Sequence, residues 1–442
     1  MKEYSNFVYK NYSIVEDDEK IYFKFEFEIP ELAIFNPEIQ ILKKNFVWKH
    51  LDTNILKNIV FNLGMVEAIS YFKATCSKNF IIKCGYLNDK QKAWFKKLFY
   101  LGLGEFRYVN NITTKEEDFV EFYSEGNELI LEELNATNKG IIIPIGGGKD
   151  SNVTLELLKN KFEDINCFMI GSQEVSLECV KAAGYDRETI IEVNRKIDRN
   201  LIELNNQGFL NGHTPFSAMV AFLSYAISFM LGKKYVTLSN ENSANESNVE
   251  GENINHQYSK TLEFENDFRE YAKEFLKQDV EYFSFLRPIS ELQIAMLFSR
   301  FDKYHKIFKS CNVGSKQKPW IWCANCPKCL FVYIILSPFI EREKLNDIFG
   351  EDLYNKEDLL KTFIELCGFG DIKPFECVGT FSEVRYCVSK LIRDEDGELP
   401  YLLNYYKENF ELEDTDEKRL HEYSSDNNLP EEFFNILYEN VK

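Results

Sequence analysis

Cations are in short supply in this chain. Lys and Arg number 52 against 71 Asp and Glu, a formal charge of −19 over 442 residues. A surface so acidic is poorly built to neutralise a phosphodiester backbone and release its counterions, which argues against a general nucleic-acid binder. Long apolar runs are missing as well. None reaches the ~18 residues of a membrane span, and the nearest, around 219–232 and 330–340, are broken by Ser, Tyr or Pro. Met1-Lys2-Glu3-Tyr4 lacks the charged and apolar regions of a secretory signal, so a soluble cytoplasmic protein is expected. Disulfide density is absent too: eleven cysteines, an odd number and clustered, suit reduced thiols with metal or chemical roles. Neither an internal repeat nor a low-complexity tract is visible.

What the chain does have is 45% hydrophobic content, enough for two or three cores at ~100 to 200 residues per domain. From Leu391 onward, 15 acids face 5 bases, so much of the acidity reads as a local solvated face in a C-terminal tail. Residues 20–29 alternate and stop at Pro30, the pattern of a half-buried strand. A helical stretch near 64–74, a strand at 80–84 and a helix near 89–100 follow. An N-terminal α/β or α+β module over 1–125 is expected, with the acidic stretch 115–128 as its linker. Short apolar runs at 141–145, 166–170, 189–193 and 235–238, separated by helical segments, predict a parallel-sheet domain over 135–335. Thr214-Pro215 reads as an N-cap with Pro at the first helical position, and that helix closes at Gly232. Residues 336–442 read as mostly helical.

The most informative segment is Ile141-Ile142-Ile143-Pro144-Ile145-Gly146-Gly147-Gly148-Lys149-Asp150-Ser151. Glycine lets backbone approach an oxyanion closely, and the free N–H groups of a helix start point at it. Walker A requires Gly-Lys-Ser/Thr, but Asp150 follows Lys149, and the dinucleotide pattern needs glycine where Ser151 stands. The segment instead resembles the PP-loop of N-type ATP pyrophosphatases, Ser-Gly-Gly-x-Asp-Ser, with Gly146 in place of the first Ser. That resemblance implies a parallel-sheet nucleotide-binding core, with Gly146, Gly147, Gly148, Lys149, Asp150 and Ser151 at the phosphates of ATP. It also implies Mg²⁺, with AMP and pyrophosphate as products.

Cys311, Cys323, Cys326 and Cys329 are separated by eleven, two and two residues. Close Cys-x2-Cys turns let thiolates converge at about 2.3 Å on a structural zinc ion; reduced thiols or a sulfur relay are the other readings. A similar cluster follows the PP-loop domain of deazaguanine nitrile synthases. After the strand at 235–238 come two polar boxes, 239–248 and 255–260, with Ser239, Asn240, Glu241, Asn245, Glu246, His256 and Lys260. In an open α/β sheet such loops beyond the strands' carboxyl ends form the ligand site, although a plain solvated loop has the same composition. Asn211-Gly212-His213-Thr214-Pro215 is a third candidate edge, unless His213 only caps its helix. A last box, Lys373 to Thr380 with Glu376, Cys377 and nearby Glu383, combines a cation, carboxylates and a thiol around Pro374 and Gly379.

Taken together, 146–151, 211–215, 239–248, 255–260, 322–329 and 373–380 resemble the UDP-N-acetyl-α-D-muramoyl-L-alanyl-L-glutamate epimerase family, and 64–77 and 102–110 also fit it. The resemblance implies an ATP- and Mg²⁺-dependent isomerase of peptidoglycan biosynthesis, inverting the terminal L-Glu of a UDP-muramyl dipeptide through an acyl-adenylate. Glu246, His213, His256 and Cys377 are then candidate proton handlers. Ser239, Asn240, Glu241, Asn245, Lys260, Lys373, Glu376 and Glu383 are candidate substrate ligands. Two rival readings stand beside it: a PP-loop enzyme that modifies a nucleobase or tRNA, and a non-catalytic ATP-binding module with a zinc knuckle.

Overall fold

Ile141-Ile142-Ile143-Pro144 has no polar face for water, and it sits where such a strand belongs, inside a sheet covered on both sides. The computed structural model describes residues 3–131, 139–171, 173–245, 255–256, 258–277, 279–370 and 373–442. Its strands are β1 (Asn6–Glu16), β2 (Lys20–Ile29), β3 (Ala33–Phe35), β4 (Glu38–Leu42), β5 (Asn79–Ile82), β6 (Glu121–Ser124), β7 (Ile141–Pro144), β8 (Ile165–Ile170), β9 (Ile191–Lys196), β10 (Tyr235–Leu238) and β11 (Glu281–Ser284). All eleven join one mixed sheet in the order β11-β10-β7-β8-β9-β4-β2-β1-β5-β6, with β3 on β2, and sixteen α-helices accompany them among the described residues.

The class is therefore α/β. β11, β10, β7, β8 and β9 are parallel, as short apolar runs alternating with helices require. β4 pairs antiparallel with β9, Ile41 opposite Val193, so the sheet continues without a break from the N-terminal strands into the parallel ones. The acidic stretch 115–128, read from sequence as a linker, instead forms the short helix Glu116–Phe119 and the edge strand β6. Charge suited it to an edge, where one face meets water.

Alternation along the central strands divides the apolar side chains between two cores. Ile141 and Ile143 join Met169 and Phe283 under the helices Glu291–Ser299 and Pro327–Leu336; Ile142, Phe168 and Val236 join the helices Asn54–Phe72 and Phe216–Leu231 on the other face. Each fully buried Ile or Leu there contributes about 1.5–3 kcal/mol of transfer free energy.

The helix Asn54–Phe72, capped by Thr53 Oγ1 accepting from Leu56 N–H, is long and apolar enough by composition to cross a membrane, yet 89% of its apolar window is buried within the fold. Gly64 makes this burial possible: a Cβ there would meet Tyr9 Oη at 1.9 Å. Buried Glu67 on the same helix accepts from Arg195 Nε and Nη2 of β9 at 2.8 and 3.0 Å, tying the helix to the junction of the sheet.

The C-terminal region is mostly helical, but the acidic stretch after Leu391 is not a solvated tail. Leu402, Tyr406, Phe433, Leu437 and Val441 are buried, and the Phe433 ring lies 4.8 Å from Phe283 and 4.9 Å from Phe162. The acids lie at the surface, on the outer faces of helices whose inner faces are apolar and in the loops between them.

The topology also fixes where a ligand fits. From β7 the chain moves to β8 and β9 on one side, then returns to place β10 on the other. Loops leaving the carboxyl ends of β7 and β10 therefore diverge, and a crevice opens at this switch of direction.

Candidate active site

The loop after β7 crosses that crevice. Gly147 has φ +80°, a conformation glycine adopts freely, and a Cβ there would press on Val175 and Ser176 at 3.0–3.3 Å. Gly146 is exposed to the cleft, and no heavy atom lies within 4 Å of where its Cβ would be. The helix Lys149–Leu158 begins immediately after Gly148, and no side chain caps it. Its first amides and its dipole therefore point at the crevice, the physical make-up of an anion cradle.

Gly146→Ser, which reinstates the hydroxyl of the resembled motif, is expected to leave stability within about 0.5 kcal/mol. Gly147→Ala is expected to lose about 1–3 kcal/mol because its φ must stay positive. Denaturant melts of the two variants check this, and equal losses would contradict the geometry.

Gly146, Gly148, Asp150 and Ser151 share one cleft of about 480 Å³ with Ser239, Asn240, Glu241, Lys260, Glu376 and Cys377. Three boxes far apart in sequence thus meet in one place. Lys149 lies beneath the loop, buried, with its ammonium on Asp150 and Glu291. Burial opposes its charge, but the two carboxylates outweigh it and hold Lys149 protonated. Burial pushes Glu291 up; Lys149 opposes this, and Asp150 and Glu241 add to it. The floor of the cleft therefore has three carboxylates, Asp150, Glu241 and Glu291, with one buried lysine held by two of them.

Cys377 forms the opposite wall. Lys260 Nζ lies 3.0 Å from its Sγ, the Lys328 ammonium donates to its carbonyl, and His256 interacts electrostatically with its thiol. His256 Nδ1 is bonded to Glu105, with the His213 ring tilted against it at 4.4 Å between centroids and its Nδ1 3.8 Å from the same carboxylate. Burial alone would raise Cys377, but Lys260, His256 and Lys328 bring the thiol down to about 6. Burial also opposes charge on His256, yet its bonds to Cys377 and Glu105 lift it to about 9. Burial, with cationic His256 beside it, pushes His213 down to about 4. A thiol, an imidazole and a carboxylate that orients the imidazole thus stand together. The six thiols outside this wall and the Cys311–Cys329 cluster are all pushed up by burial.

Some expected residues fall elsewhere. Glu383 is not a ligand: its Oε2 accepts from Thr380 N–H and Oγ1 at 2.8 Å and its Oε1 from Leu292 N–H at 3.3 Å, which makes it the capping partner of the helix Phe381–Asp394. Lys373 is buried over the Phe381 ring, outside the cleft lining. The helix Phe216–Leu231 starts one residue later than expected, with Pro215 at the cap position, and His213 turns to Glu105 rather than capping it. Glu246 and the Asn245 side chain lie outside the described residues.

Sequence reasoning missed Glu105, Arg287, Glu291 and Lys328. Lys328 stands inside the Cys326-Pro327-Lys328-Cys329 turn and had a signal there; the others reach the site only through packing. Arg287, with no exposed surface, donates to the carbonyls of Glu241 and Lys260 at 2.6 Å and to Glu265 Oε2 at 3.1 Å, so it fixes both loops.

Beside the cleft, Cys311, Cys323, Cys326 and Cys329 place their sulfurs within 4.8 Å of one another, with separations of 3.8, 3.7 and 3.5 Å for Cys311–Cys326, Cys323–Cys329 and Cys326–Cys329. A tetrahedron with Zn–S bonds of about 2.3 Å has edges of about 3.8 Å. Gly314 N–H donates to Cys311 Sγ at 3.1 Å, a bond that favours thiolate.

The description "MurL N-terminal domain" matches residues 1–285 and "MurL C-terminal domain" residues 307–420. The phosphate loop comes from the first segment; Lys328, Cys377 and the thiol cluster come from the second. Three curated relatives are each named UDP-N-acetyl-alpha-D-muramoyl-L-alanyl-L-glutamate epimerase. The protein from Xanthomonas oryzae pv. oryzae is 32% identical over 335 residues, 74% of this chain and 73% of its own length. That from a Micromonospora species is 33% identical over 338 residues, 76% and 74% of the two chains. That from Salinispora tropica is 34% identical over 339 residues, 76% and 73%.

Proposed function

Because this chain belongs to the MurL family, we propose that it inverts the terminal L-Glu of UDP-MurNAc-L-Ala-L-Glu, using ATP to form an acyl-adenylate. The observation that carries the reading is the meeting of an uncapped glycine loop with the Glu105–His256–Cys377 line across one cleft. An α-proton beside an ionised carboxylate cannot leave without building a dianion. Activation removes that charge, and the carbanion then delocalises onto a carbonyl oxygen. Gly146 to Ser151 would hold the phosphates of ATP in a PP-loop core, which the parallel strands and the switch of direction support. Asp150, Glu241 and Glu291 would hold Mg²⁺, which supplies charge neutralisation to the phosphates. Zinc would be structural at the four thiols, a closed set of sulfur ligands with no open position. A substrate carried on a uridine nucleotide and a need for ATP both fit a cytoplasmic enzyme of cell-wall precursor synthesis. The rival readings lose ground because no relative above is a nucleobase-modifying enzyme.

The test incubates the protein with Mg²⁺-ATP and the dipeptide in D₂O. Dipeptide-dependent AMP and pyrophosphate with deuterated D-Glu are expected; AMP without inversion would refute the epimerase. The reactive ionisation of the wall also sets a pH window. The thiolate is lost as pH falls through about 6, and the imidazolium is lost as pH rises through about 9. A bell-shaped profile of kcat/KM between these limits is expected, its upper limb abolished in His256→Gln. A profile flat from pH 5 to pH 10 (roughly a unit beyond either limb) would remove this pair from the reaction.

A further inference from the structure

We propose that Cys377 is an acyl acceptor: its sulfur takes the activated acyl group from the adenylate, and the α-carbon is inverted while held as a thioester on the enzyme. The inference rests on the adenylation reading above and adds a covalent step to it. Three features of the wall lead there. First, Cys377 faces the same cleft as Gly146 and Asp150, so an acyl-adenylate formed over the phosphate loop has a thiol within its own chamber. Secondly, His256 interacts with this thiol and is hydrogen-bonded through Nδ1 to Glu105, the set of nucleophile, base and orienter that serves acyl transfer. Thirdly, Lys260 stands 3.0 Å from Sγ and lines the same cleft as Asp150, so a cation accompanies the thiol in the chamber of the phosphate loop.

The chemistry balances without an outside reagent. The thiol proton already resides on His256. Sγ attacks the acyl carbon, the C–S bond forms, and the bond from that carbon to the AMP oxygen breaks with its electron pair on AMP; nothing is oxidised or reduced. Sulfur donates poorly into the carbonyl, so the α-proton of a thioester is more acidic than that of an oxygen ester. AMP, an anion next to the forming enolate, has by then left the acyl carbon. In the inversion the α C–H pair passes into the enolate, the proton leaves to solvent and a solvent proton is returned to the opposite face; water then adds to the thioester carbonyl, the C–S bond breaks with its pair on Sγ, the two protons of that water pass to solvent, and His256 again stabilises the thiolate.

The experiment mixes the full-length protein with Mg²⁺-ATP and UDP-MurNAc-L-Ala-L-Glu, quenches in acid during the first turnover, and measures intact mass. The expected result is an adduct of dipeptide substrate less one water, mapped to Cys377 and released by neutral hydroxylamine. Cys377→Ala is expected to form no adduct and to lose α-proton exchange by more than about 100-fold. Cys377→Ser is expected to accumulate a more slowly hydrolysed oxygen ester. Wild-type turnover to D-Glu with enzyme-bound adenylate and no protein adduct would overturn the thioester and leave the epimerase standing. Absence of any dipeptide-dependent pyrophosphate exchange in wild type would instead refute the adenylation reading itself.

Discussion

Removing the zinc proposed at Cys311, Cys323, Cys326 and Cys329 is expected to cost the protein much of its stability. In small zinc domains metal binding supplies about 10–16 kcal/mol of folding free energy, and the geometry here is of the closed structural kind. The cluster stands at the start of the helix Pro327–Leu336, which is buried along its whole length between the sheet and the C-terminal helices. Trp322, next to Cys323, packs on Phe308 and Phe349 at 5.2 and 4.6 Å between ring centroids. Four thiolates left without a cation would repel one another inside apolar surroundings, and the layer would open. Lys328 would move with it, and the Cys377 carbonyl would lose its donor. Elemental analysis is expected to find one zinc per chain. Cys329→Ser, or a strong chelator, is expected to lower the denaturation midpoint steeply and abolish turnover together. Metal-free protein with native stability and four freely titrating thiols would end the zinc assignment.

Arg287→Met is the second large effect. Removing one member of a buried ion pair typically costs about 3–5 kcal/mol, because the other charge stays buried without compensation. Here Glu265 is the group left behind, and its Oε1 keeps only the Asn428 amide at 2.9 Å. The same substitution frees the carbonyls of Glu241 and Lys260, which Arg287 holds from the centre of the two polar loops. Urea melts should show the loss directly. Adding Glu265→Leu removes the stranded charge and should recover much of the stability, but not the activity, since neither loop regains its anchor. Full recovery of activity in the double variant would show that Arg287 does not position the site.

The phosphate loop was legible because its signal is local: strand, glycines and helix start are consecutive, and the backbone conformation they demand does not depend on the rest of the chain. The thiol cluster was legible for a similar reason, since spacing alone lets three of its four sulfurs converge. Cys377 and His256 were visible only as residue types able to move protons. What makes them a unit is Glu105, which comes from the short helix Gly104–Val109, 151 residues before His256. Glu383 shows the opposite failure. Its composition matched a ligand box, but a carboxylate three residues into a helix after Thr is equally a capping partner, and the backbone claimed it.

The amino-acid sequence by itself determined the local elements: the central parallel strands, the glycine turn after β7, the tetrathiolate spacing and the family to which the chain belongs. Periodicity and spacing act over a few residues and need no partner from elsewhere. Only the tertiary structure decided that the N-terminal strands and the parallel strands form one sheet through β4 and β9, and that Glu105, Arg287, Glu291 and Lys328 belong to the site. It alone decided, too, which thiol outside the four-cysteine cluster is drawn down rather than pushed up. A pKa depends on burial and on charges brought close from distant parts of the chain, and Lys260, Lys328 and His256 meet Cys377 only once the sheet has folded.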